Sequence, residues 1–148
     1  DKLTVLVFYR GGWCPFCNAH LRELQKSVGA LQSLGYQLLA VSADEPQEMS
    51  RFTADPPLSY QLLSDSQLEV AAKFGIRFKV SKQYLDHIKT LPNDHDVDML
   101  ARNGGYLLTP GVFIFDTRGT LRYSYVNNNY TVRIRQEKLL EAARAALQ

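Results

Sequence analysis

The sequence predicts an α/β fold, a mixed central sheet flanked by helices, and three segments carry that prediction. Leu3 to Tyr9 reads LTVLVFY, a nearly continuous apolar, β-rich run of the kind that forms a strand buried on both faces. Behind it, Cys17, Leu21, Leu24, Val28, Leu31 and Leu34 recur at spacings of three and four, one apolar helical stripe that Gly35 brings to a stop. Tyr36 to Ser42, YQLLAVS, is a second apolar run, and strand, helix, strand in that order implies a right-handed parallel crossover. Between the first strand and the helix, Gly11 and Gly12 supply a flexible turn, Trp13 a large apolar anchor, and Pro15 the residue favoured at the first helical position.

Weaker patterns place the remaining elements. Pro46 to Ala54 has the character of a short helix, Leu58 to Leu63 of a short strand, and Ser66 to Phe74 of a helix ended by Gly75. Ser81 can cap a helix running to Leu91, with Val80, Tyr84, Leu85, Ile88 and Leu91 on one face, before a polar stretch from Pro92 to Asp98. This region reads as a helical insertion ahead of the final hairpin. Val112 to Phe115, a turn through Asp116, Thr117, Arg118 and Gly119, and Thr120 to Val126 make that hairpin, which ends the sheet. A closing helix from Gln136 to Leu147 sets Leu139, Leu140, Ala143 and Leu147 on one face.

Length and composition bound the function. A chain of 148 residues is expected to form one domain over residues 1–148, and 45% hydrophobic with 22% charged residues is an ordinary globular balance. Seventeen Lys and Arg stand against fifteen Asp and Glu with no run of five like charges, so neither nucleic acid nor an anionic membrane surface is an implied partner. The apolar runs fall far short of the roughly 20 residues that span a bilayer. The chain opens on Asp1 without a basic-then-apolar segment, which leaves localisation open with the cytoplasm favoured.

The two cysteines are the main clue, because both lie in Cys14-Pro15-Phe16-Cys17. A ring this small stabilises little as a structural disulfide, and the spacing suits reversible chemistry in which one thiolate attacks and the other resolves. The start of a helix favours thiolates, since unpaired amides and the macrodipole lower a cysteine from about 8.5 to roughly 3.5–7.5. Cys17 is in register with the buried stripe and Cys14 lies at the cap, so Cys14 is expected to be the more accessible sulfur. Around them, Arg10 is a candidate to hold positive charge near the thiols, or else a solvated loop arginine, and Trp13 to pack beside them. His20 follows Cys17 by one helical turn and could accept a proton, with a surface position the weightier reading. No cofactor is expected. A structural zinc lacks a second ligand pair, no haem or nucleotide motif is present, and Asp94, His95, Asp96 and Asp98 read as a solvated polar loop rather than a cation site.

The run Phe8-Tyr9-Arg10-Gly11-Gly12-Trp13-Cys14-Pro15-Phe16-Cys17, with Val41-Ser42-Ala43-Asp44, Thr109 to Asp116 and Gly119, resembles the peroxiredoxin-like branch of the alkyl hydroperoxide reductase and thiol-specific antioxidant (AhpC/TSA) family. The likeness covers most of the chain, is weakest over residues 77–108, and implies a thioredoxin-like fold with further strands before the first one here. Peroxiredoxins carry Pro, three residues, Thr, two residues and the peroxidatic Cys; those positions here are Arg10, Cys14 and Cys17. By resemblance Cys17 is therefore the peroxidatic position, while Cys14 replaces the threonine and matches the attacking cysteine of thioredoxins. The family's peroxide-polarising arginine falls at Pro110, which instead resembles the thioredoxin cis-proline and suits binding of an extended substrate or partner cysteine.

Two functions follow as expectations. The first is a thiol oxidoreductase in which Cys14 and Cys17 cycle between dithiol and disulfide, reducing a peroxide or a protein disulfide with electrons from a thioredoxin-like partner; a homodimer is compatible with it. The second is a redox-inactive binding module that uses the cleft near Trp13 and Pro110.

Overall fold

The computed structural model describes residues 1–52, 57–91 and 95–148, and the side chains of all of these except 50–52 and 95–96. The first apolar run forms β1 (Leu3–Phe8), the CxxC opens α1 (Pro15–Ser33), and β2 (Tyr36–Ser42) pairs in parallel with β1, Val5 opposite Leu38. After α2 (Pro46–Phe52), β3 (Gln61–Ser64) adds in parallel to the far side of β2. β6 (Gly111–Phe115) runs antiparallel along the other side of β1, and β7 (Leu121–Val126) antiparallel along β6. The sheet order is β3-β2-β1-β6-β7, the mixed sheet that the sequence predicts.

Both faces of the central strands are covered, as the unbroken apolar runs require. Side chains alternate along a strand. Val5 and Val7 of β1 and Val112 and Ile114 of β6 meet Leu21, Leu24 and Leu31 of α1 and Leu139 of α6 (Gln136–Ala145). Phe8 and Phe113 point to the opposite face, against Leu68, Met99 and Leu107. Leu147, expected on the buried face of the closing helix, is instead 47% exposed, because α6 ends at Ala145.

The second face is covered largely by the insertion. α3 (Glu69–Lys73) leads into β4 (Arg77–Lys79), then α4 (Lys82–Ile88), α5 (His95–Asn103) and β5 (Tyr106–Leu108), with β4 and β5 paired as an antiparallel ribbon. Ser81 caps α4 as expected, its hydroxyl accepting from the Tyr84 amide at 3.1 Å. Four sequence expectations are corrected here. The stretch from Pro92 to Asp98 is not simply a polar loop: α5 begins at His95, and its buried Met99 and Leu100 lie beyond a polar first turn that hid the helix. Residues 92–94 lie outside the described ones, as do residues 53–54 at the end of the second expected helix. The helix expected from Ser66 begins only at Glu69, because the Asp65 carboxylate accepts from the Val70 and Ala71 amides and Leu68 sits at φ 54°. The strand expected at Leu58 to Leu63 occupies Gln61–Ser64, and Leu91 is 42% exposed beyond the end of α4.

The architecture delivers one turn to the carboxyl ends of the parallel strands. Leaving β1, Tyr9 still donates its amide to Val41 O at 3.0 Å, and the Cys14 amide then closes on Gly11 O at 3.1 Å. Asp44, just past β2 and 2% exposed, accepts from the Gly12 amide at 2.8 Å and from the Ser42 hydroxyl at 3.1 Å, pinning the turn to the sheet. A methyl group on Gly11 would collide with the Trp13 indole, 2.6 Å from Cδ1, and lie 2.9 Å from Asp44 Oδ1. Gly11→Ala is therefore expected to destabilise the protein by about 1–3 kcal/mol through overpacking. Gly29→Ala, on the exposed side of α1 with nothing near the added methyl, is expected to stabilise it by about 0.5–1 kcal/mol. Chemical denaturation of the two variants beside the parent checks both signs.

Candidate active site

Cys14 and Cys17 are both free thiols at the amino end of α1, Cys14 as its N-cap and Cys17 inside its first turn. The expected difference in access is absent: Cys14 is 1% exposed and Cys17 0%. A bare helix cap would leave Cys14 open, but this turn is crowded by a stack of side chains. The Arg10 guanidinium lies 5.0 Å from the centroid of Trp13 and 4.2 Å from that of Tyr130, and Phe16 meets Tyr130 edge-on at 5.7 Å. Arg10 is itself buried and donates to the Tyr84 hydroxyl at 2.9 Å, so it is no solvated loop arginine.

Two nitrogens address the inner sulfur. Cys17 Sγ accepts from the Arg10 backbone amide at 3.4 Å and from Arg133 Nη2 at 3.2 Å. The lowered pKa falls on the other sulfur, Cys14. A hydrogen bond from Cys17 draws Cys14 down from 9.0 to about 6, against the opposing effect of burial and with help from the charges of Arg10 and Arg133. Cys17 is held far above the ordinary thiol range by donating that bond, by burial, and by the charge on Cys14. Donors thus converge on Cys17 while the low pKa falls on Cys14. Both facts describe one pair that loses its first proton easily and keeps its second, a single anion whose position depends on which end of the S–H···S bond holds the proton.

His20, one turn past Cys17, is 7% exposed, which corrects the expected surface position. Burial first, and the charge of Arg133 second, lower its pKa from 6.5 to about 4, so it is neutral near pH 7. Pro110 is buried between β5 and β6; it lines one cleft with Arg10, Tyr84 and Tyr130, and a small void with His20 and Arg133. The structure therefore brings Arg10, Trp13, Cys14 and Cys17 together, with Pro110 walling the spaces on either side. Sequence reasoning missed Arg133, Tyr84 and Tyr130. Arg133 stands 116 residues after Cys17, in a polar segment between β7 and α6 that carries no motif.

The AhpC/TSA family model matches residues 1–124. The chain belongs to the AhpC/TSA family. Within reach of that family, a putative peroxiredoxin bcp of Haemophilus influenzae is 27% identical over 107 residues, covering 72% of this chain and 66% of that protein. The thiol-disulfide oxidoreductase ResA of Halalkalibacterium halodurans is 31% identical over 74 residues, 49% of this chain and 42% of that protein. The chain thus spans roughly half to two thirds of the length of the curated relatives it matches. The crystal structure of Enterococcus faecalis AhpC superposes with a TM-score of 0.75 at 17% identity, covering 99% of this chain and 75% of that one, so the AhpC/TSA fold is shared. That fold is thioredoxin-like, as the resemblance implies.

The state of His20 sets a pH dependence. Between pH 6.5 and about 4 the unfolded chain binds a proton at this position that the folded chain does not, so stability falls as the pH falls through that window. The parent is expected to lose as much as about 3 kcal/mol more than His20→Gln on going from pH 7 to pH 4. Urea denaturation of both proteins at the two pH values checks it, and equal losses would show that His20 protonates as readily in the folded state.

Proposed function

We propose that the protein is a thiol-dependent peroxidase in which Cys17 attacks the peroxide and Cys14 resolves the product. One observation carries the reading: Arg133 Nη2 lies 3.2 Å from Cys17 Sγ, so a guanidinium stands at the sulfur although the family's usual arginine position is Pro110. The Cys17 thiolate attacks the distal oxygen of the peroxide and the O–O bond breaks, giving Cys17 sulfenic acid and displacing an alkoxide or hydroxide that takes up a proton. Arg133 and the Arg10 amide favour the thiolate at the attacking position, and the shared proton returns to Cys14. The Cys14 sulfur then condenses with the sulfenic acid, a disulfide forms and water leaves. Two electrons from an external thiol, a thioredoxin-like partner in the reading that the family implies, restore the dithiol.

The acidity of Cys14, about 6, supports a second reading in which Cys14 opens a partner disulfide and Cys17 releases it. The family resemblance to ResA, a thiol-disulfide oxidoreductase, supports the same alternative.

The reduced Cys14→Ser variant separates the two. Given one equivalent of hydrogen peroxide, it is expected to form sulfenic acid at Cys17, timed by trapping and intact mass, far faster than free cysteine at the same pH. Arg133→Gln in that background is expected to slow the step about tenfold or more, the scale of one lost charge-assisted hydrogen bond. Oxidation no faster than free cysteine would overturn the peroxidase reading and leave exchange through Cys14.

A further inference from the structure

A cleft of about 380 Å³ opens between the first turns of α1 and α6, on the Arg133 side of the thiol pair. Its wall includes Phe16, the residue between Pro15 and Cys17, together with His20, Glu23, Arg133, Arg135 and Glu137. Several of these groups lack partners. Among the described residues, Arg133 gives Nη2 to Cys17 and leaves buried Nε and Nη1 with no acceptor, and His20 Nε2 is buried with no partner. α6 starts at Arg135 without a side-chain cap, so its first amides are unclaimed by one. Among the described residues neither Arg135 nor Glu137 takes part in an ion pair, while Glu23 meets Lys26 at 2.7 Å.

The mixture of signs identifies the ligand class. A simple anion would face two carboxylates, and a simple cation two guanidiniums. A group that carries both charges satisfies both sets, and the α-amino-acid zwitterion is the common one. We propose that this cleft holds the amino-acid head of a small thiol, its carboxylate toward Arg133, Arg135 and the start of α6 and its ammonium toward Glu23 and Glu137, and that this thiol reduces the Cys14–Cys17 disulfide directly.

The proposal rests on the dithiol–disulfide cycle above and names a reductant class for it alongside a protein partner. The small thiolate attacks Cys17 Sγ, the sulfur that Arg133 links to the cleft, and the S–S bond breaks with Cys14 leaving as thiolate. Departure from Cys14 is favoured because the better leaving sulfur is the more acidic one. A second molecule of the thiol attacks the sulfur of the first, releasing its disulfide and the Cys17 thiol. Two thiols are oxidised, one disulfide is reduced, and no other reactant is needed.

S-methylglutathione carries the head group and cannot exchange, so it probes the cleft alone. It is expected to bind the reduced protein in an NMR titration, with affinity reduced about tenfold in Arg135→Gln and again in Glu137→Gln, each the loss of about one charge-assisted contact. An analogue lacking the amino group should bind the parent as weakly as S-methylglutathione binds Glu137→Gln. In a second measurement, the rate of reduction of the oxidised protein by glutathione, relative to that by dithiothreitol, is expected to fall about tenfold in Arg135→Gln. Absence of binding, or an unchanged ratio, with dithiothreitol reducing the disulfide normally, overturns the proposal and spares the redox cycle. Failure of dithiothreitol to regenerate a peroxide-consuming dithiol overturns the cycle, and the proposal with it.

Discussion

One negative charge shared between two buried sulfurs sets the demands on everything around it. A thiolate taken out of water is costly unless donors meet it. Here the donors are a neighbouring thiol, the Arg10 amide and the Arg133 guanidinium, and each has to be held in place by a separate part of the fold. The amide is fixed because β1 delivers it at the end of a fully paired central strand. Arg133 reaches the sulfur from the segment before α6, a helix that packs on the same face of the sheet as α1. Its contact with Cys17 therefore joins the two helices across the reactive turn.

The insertion serves the same end from the opposite side. Tyr84 of α4 accepts from Arg10, which keeps that guanidinium stacked between Trp13 and Tyr130. Arg102 of α5 donates to Ala43 O at 3.2 Å and pairs with Glu45 at 3.1 Å and Glu48 at 3.4 Å, tying the insertion to the loop that bears Asp44. Asp44 in turn holds the Gly12 amide. A chain of polar contacts thus runs from the insertion through Asp44 to the CxxC turn, although the insertion contributes neither sulfur.

Much of this was readable in the sequence, and what was not has physical causes. β1 and β2 are continuous apolar runs, α1 carries a long apolar stripe at spacings of three and four, and the final hairpin has a clear turn between two β-rich segments, so each is written in the order of residues. The three-residue strands β4 and β5 are too short to show a period, and charged Arg77 and Lys79 flank the one apolar residue of β4. The CxxC, Arg10 and Trp13 were legible because they are neighbours in the chain. Accessibility was not, because the partners that order Arg10 beside the CxxC turn, Tyr84 and Tyr130, come from segments far along the chain. Arg133 was illegible for the same reason: only folding places it beside Cys17, and the family pattern pointed to Pro110 instead.

The shared charge can be counted directly. Thiolate absorbance at 240 nm, followed from pH 4 to pH 10 on the reduced protein, reports how many sulfurs ionise and where. One thiolate per chain, appearing with a midpoint of about 6 and no second up to pH 10, is the expected result. Two thiolates titrating together near the ordinary value of about 8.5 would show that the sulfurs do not share a proton, and that Arg10 and Arg133 do not hold an anion between them.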